Sequence, residues 1–213
     1  MDIYASDEEK GEEIKQWWRD NGRSVVVGCI LGAAIIFAGR YWITYKNTQS
    51  LKASYAYQQV ISALSADKKS VAEDTTEKLF KNFASTPYAV FAAFEMASQS
   101  VTDKDMTAAQ SYLEWVVKNA DLSAHKELAK LRLAQVFLMQ AKFEQALVLA
   151  NGADSTTFSS LWDELKGDVL VAQGKPNDAR IAYQKAIMSL TQSEPRHQIL
   201  QFKLDDVAES NNG

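Results

Sequence analysis

Between Ser24 and Ile43 the chain runs for twenty residues, SVVVGCILGAAIIFAGRYWI, with a single charge, Arg40, near the end. A helix rises about 1.5 Å per residue, so this run covers roughly 30 Å, one hydrocarbon core. Trp17 and Trp18 precede it, Tyr41 and Trp42 close it, and Arg23 and Arg40 are placed to snorkel. Aromatic and basic side chains at both ends suit two headgroup layers. The competing interpretations are a buried helix of a soluble domain and a cleaved signal. A soluble core helix needs neither rim. A signal needs a short basic start and small residues at its cleavage site, whereas seven acidic and four basic side chains stand before this run and GRYWITYK closes it. The expectation is therefore a permanent transmembrane helix over 24–43, preceded by an acidic tail over 1–23. Lys10, Lys15, Arg19 and Arg23 before the span, against Arg40 at its far end and Lys46 and Lys52 soon after it, favour a cytoplasmic N-terminus by the positive-inside rule. Gly28 and Gly32 form a small-xxx-small pair. Such a pair either lets another helix pack closely in the membrane or is simply lipid-facing.

Past the span, helix breakers are sparse: all three prolines, Pro87, Pro176 and Pro195, lie there, with Gly152, Gly167, Gly174 and Gly213 as the glycines. Segments rich in Ala, Leu, Gln, Glu and Lys without alternating β-branched runs predict an all-α domain over 44–208, followed by a flexible C-terminus over 209–213. The apolar periodicity and the turn residues place helices at 48–66, 70–84, 87–100, 105–119, 123–140, 143–151, 157–173, 176–189 and 195–208. The membrane helix is expected to run on, with a break near Asn47, into the first of these. Pro87 and Pro176 suit first-turn positions, and Asp154 or Ser155 and Ser193 are candidate caps.

These helices repeat. In LWDELKGDVLVAQGKPNDARIAYQKAI, Gly167 is followed by Gly174, Ala179, Tyr183 and Ala186 at the spacings of a tetratricopeptide unit, with small residues where its two helices meet and an aromatic packing beyond. The same frame fits Ala134, Ala141, Ala146 and Ala153, and more loosely Ala97, Lys104, Ala109, Leu113 and Val116. Intervals of 37 and 33 residues separate the three. Asn151 and Gly152 cut the middle unit's second helix short. A solenoid of tetratricopeptide-like helical pairs is the expected fold, a non-repeating bundle its competitor.

Little in the chain points to chemistry. A net charge of −4 and a pI near 5.3 supply no basic field for nucleic acid. The one cysteine, Cys29, lies inside the apolar run, which leaves no intramolecular disulfide and no thiolate cluster. His125 and His197 stand in no ligand pattern, and Asp205 and Asp206, being adjacent, diverge on a helix. No enzyme activity, metal or cofactor is expected. Function then belongs to surfaces. In a helical-pair solenoid the first helices of the pairs line a concave face that holds peptides or partner segments; here that face comprises, as a group, Phe91, Phe94, Leu128, Leu131, Gln135, Leu138, Asp168 and Val171, the competing reading being that most of its apolar members are simply core.

The start MDIY, the pre-membrane IKQWWRDNG, the span with VGCILG and GRYW, the following SLKASYAYQQVISAL and the final LKGDVLVAQGKPNDARIAYQKAI together resemble the bacterial YfgM family of ancillary SecYEG translocon subunits, over nearly the whole chain. The resemblance implies a single-pass inner-membrane protein with a periplasmic tetratricopeptide-like domain. It also implies association with SecYEG and with the membrane-anchored peptidyl-prolyl isomerase PpiD, helping newly exported proteins reach periplasmic chaperones. A scaffold that touches no clients, or a regulator acting through the acidic tail, are the alternatives.

Overall fold

The computed structural model describes residues 7–152, 158–191 and 193–209. It divides into two compact units, Met1–Leu51 and Lys52–Gly213. The first is built on helix α1 (Asp7–Ser65), whose last turns belong to the second unit. Helix continues through Asn47, so the expected break is absent, and the acidic stretch from Asp7 to Arg23 is helical as well. Among the described residues α1 is the helix long and apolar enough to cross a membrane, with a window of mean hydropathy 1.9 that is only 6% buried. Ile35, Ile36 and Phe37 are exposed. Gly28 and Gly32 lie one turn apart with no neighbour within 4 Å of the position a Cβ would take, so the small-residue face is open.

In the second unit, α2 (Lys69–Asn82), α3 (Pro87–Thr102), α4 (Met106–Asn119), α5 (Ser123–Met139), α6 (Phe143–Asn151), α7 (Ser159–Ala172), α8 (Pro176–Met188) and α9 (Pro195–Glu209) follow one another. Each lies within about two residues of its sequence-based bounds. Pro87 and Pro176 occupy first-turn positions, where a missing N–H costs nothing. Asp105 caps α4, accepting the Ala108 N–H at 2.9 Å. Asp154, Ser155 and Ala153 lie outside the described residues. Ser193 does not supply the expected cap: its hydroxyl sits 3.2 Å from that of Thr191, whose N–H is taken by the Glu194 carboxylate at 3.0 Å.

The repeat is written most plainly in the turns. The non-glycine residues with positive φ among the described residues are Asp67, Lys104 and Ala141, and Gly174 joins them at φ 71°. Each closes the same motif. The left-handed residue donates its N–H three residues back, to Leu64, Val101, Leu138 or Val171, and the next residue donates five back, to Ala63, Ser100, Phe137 or Leu170, at 2.8 to 3.1 Å. That pairing of bonds is the Schellman termination, which satisfies carbonyls a helix end would otherwise leave bare. Its recurrence at intervals of 37, 37 and 33 residues marks four helical pairs: the end of α1 with α2, α3 with α4, α5 with α6, and α7 with α8. The expected frame of three units thus extends backward by one, onto Val60, Asp67, Ala72 and Leu79.

Where paired helices meet, side chains are small. Ala72, Ala109, Ala146 and Ala179 hold equivalent places early in the second helices and are all fully buried. The core runs as three clusters along the pairs, one around Val60, Leu79 and Met96, a central one around Leu113, Leu133 and Trp162, and a last around Ala179, Tyr183 and Leu200. The short α6, nine residues ending at Asn151 with Gly152 as its cap, is the truncation the sequence indicated.

Candidate partner-binding face

Because α3 packs on α5 and α5 on α7, the first helices of successive pairs lie side by side and build one surface. The eight residues expected on it divide. Gln135 and Val171 are exposed, Phe91 is 38% exposed, and Leu128, Leu138 and Asp168 are half-buried. Phe94 and Leu131, at 8% and 3% exposure, belong to the central core. Both pack instead into the cluster that holds Leu113, Leu133 and Trp162, which takes their apolar surface out of water.

At the α1 end the surface carries aromatic rings. Tyr57, Tyr88 and Phe91 have centroids 6.1 to 6.2 Å apart, and the His125 and Phe91 rings form a T-shaped pair with centroids 5.8 Å apart. Burial, together with the nearby Glu95 carboxylate that its hydroxyl hydrogen-bonds, raises the Tyr57 phenol above its ordinary range. The sequence marks Tyr57 by its spacing, three residues before Val60 as Phe94 stands three before Ala97, and so offers the membrane-proximal helix around Tyr55 and Tyr57 as a second contact surface; Tyr88 carries no such signal.

Farther along, a groove of about 220 Å³ opens between α3, α4 and α5, lined by Ala97, Val101, Leu113 and Val136 with Ser98, Arg132, Gln135 and Met139. The Arg132 guanidinium lies 4.7 Å from the centroid of the Phe94 ring, a cation–π contact that favours this position of the planar cation.

At the far end, Asp168 is not available to a partner. It accepts the Tyr183 hydroxyl at 2.8 Å and the Lys203 ammonium at 2.6 Å. Lys203 also reaches Glu164 at 2.9 Å, and Arg196 pairs with the same carboxylate. This cluster fastens α9 to α7. Burial alone would raise the Glu164 carboxyl, but hydrogen bonds from Arg196 and Lys203 outweigh it and hold the group below its ordinary 4.5. Burial likewise disfavours the Lys203 charge, and its bonds to Asp168 and Glu164 prevail and raise it. A carboxyl lowered on folding contributes stability present above the unfolded value and lost as pH falls through the folded one. A raised lysine contributes below its ordinary 10.5 and loses that contribution as pH rises past it. Lys203→Met is therefore expected to lower the thermal midpoint at about pH 7 and to shrink the loss the native chain suffers on acidification below about pH 4.5, as followed by circular dichroism. An unchanged acid dependence would remove this cluster as its source.

The profile of the tetratricopeptide repeat-like domain family matches residues 15–209 of this chain. Relatives named as ancillary SecYEG translocon subunits are similar along almost their whole length. The protein of Haemophilus influenzae is 27% identical over 207 residues, 97% of this chain and 100% of its own. That of Escherichia coli is 26% identical over 189 residues, 89% and 91% of the two chains. That of Neisseria gonorrhoeae is 27% identical over 213 residues, covering 97% and 100%. No solved structure matches the chain. The resemblance to the YfgM family is borne out by these relatives.

Proposed function

Because the chain belongs to the tetratricopeptide repeat-like domain family, we propose that it works without catalysis, as an adaptor and ancillary subunit of the SecYEG translocon. Residues 24–43 anchor it in the inner membrane, with the N-terminus cytoplasmic and the helical pairs over 44–208 in the periplasm. The observation that supports this most is the extent of the match: relatives of that name align with 97% of this chain, so the apolar helix and the repeats both lie within the shared length. The partly exposed face of α3, α5 and α7 supplies the contact surface. Tethered at the membrane, such a face meets emerging chains at a high effective concentration, so weak contacts are enough to engage them. Its partners are the translocon, PpiD and newly exported proteins on their way to chaperones.

Purification of the tagged full chain from inner membranes in mild detergent, followed by mass spectrometry, is expected to recover SecYEG and PpiD. A chain whose residues 24–43 are deleted should recover neither. Native chain that brings down neither complex would refute the assignment.

A further inference from the structure

From the groove between α3, α4 and α5 we infer that this chain recognises an extended peptide segment in which an apolar side chain is followed by an aspartate or glutamate; the inference rests on the adaptor function proposed above and specifies its ligand. At about 220 Å³ the groove is smaller than the roughly 300 to 1,000 Å³ of small-molecule sites. It matches a single side chain. Its floor, from Ala97, Leu113 and Val136, is apolar, while Ser98 and Gln135 at the rim offer a hydroxyl and an amide to a passing backbone.

Charge selects the neighbouring residue. Arg132 is exposed, is held over Phe94, and has no carboxylate within ion-pair distance among the described residues. Two acids on the same helices are held by other groups: Glu95 of α3 receives the Tyr57 hydroxyl, and one oxygen of Glu127 on α5 pairs with Lys130 at 2.7 Å. A guanidinium presents a planar fork of donors that a carboxylate fills bidentately. An internal acidic side chain fits better than a chain end, because α3 carries the exposed ring of Phe91, with Tyr57 and Tyr88 beside it, before the groove, and Met139, 52% exposed, lines it at the end of α5. A peptide lying there has somewhere to go in each direction.

The test is fluorescence anisotropy of two labelled peptides, Gly-Ser-Phe-Glu-Ser-Gly and its Phe-Gln counterpart, titrated with the full chain in detergent micelles. The Glu peptide is expected to bind roughly tenfold more tightly than the Gln peptide. Arg132→Gln should abolish that preference, and Ser98→Phe, which plugs the groove from its exposed rim, should abolish binding of both. Unchanged helical signal and thermal midpoint in each variant secure the comparison. Equal affinity of the native chain for the two peptides, a preference that survives Arg132→Gln, or no binding of the Glu peptide would overturn the inference. Recovery of SecYEG by the native chain is independent of all three outcomes, so the adaptor function stands or falls separately.

Discussion

Gly167→Val is expected to cost about 3 kcal/mol or more, the upper end for overpacking a close-fitted core, and to lower the thermal midpoint by roughly 6 to 12 °C. A Cβ at Gly167 would lie 2.3 Å from Cε1, 2.5 Å from Cδ1 and 2.8 Å from Cζ of Tyr183. The ring cannot swing aside. It is 3% exposed and its hydroxyl is bonded to Asp168, so movement would break the link that also receives Lys203 from α9. Shortening the ring in the same chain, as Gly167→Val with Tyr183→Ala, should recover part of the loss and give a coupling of about 1 kcal/mol or more in a double-mutant cycle. Additive losses would mean that glycine is needed here for some reason other than the approach of this ring.

The second large effect separates core from contact surface. Leu131→Gln is expected to destabilise by about 3 to 5 kcal/mol, since it removes apolar burial and encloses an amide without a partner. Val171→Gln, at a residue 44% exposed, should stay within about 0.5 kcal/mol. Chemical denaturation of both variants measures the contrast. Leu131→Gln with native stability would return that residue to the exposed face and displace it from the central core.

Helix positions were legible because prolines, turn residues and the apolar period act locally. The repeat was legible where small residues recur, at Ala134 and Gly167, since only small side chains let paired helices approach. The first pair was harder to see: Val60 replaces a small residue and Asp67 holds a left-handed turn that glycine holds at Gly174. Only the 37-residue interval, carried one step back from Ala97, leads to it. Periodicity also could not divide the partner face. Leu128 and Leu131 are both apolar and lie about a turn apart, yet one is half-buried and the other enclosed, because exposure depends on how closely α3 and α7 flank α5. The fastening of α9 is equally silent in sequence. Asp168 and Lys203 are 35 residues apart, and nothing local announces that they meet.

The adaptor account is tested most directly by photocrosslinking in cells that carry an exported protein arrested in SecYEG. A photoreactive amino acid is placed at Phe91 on the first-helix face in one chain, and at Val148, 69% exposed on α6, in another. The account predicts crosslinks from position 91 to the arrested chain or to PpiD, and none from position 148. Crosslinks from 148 with none from 91 would contradict it, because the surface in use would then not be the one built by α3, α5 and α7.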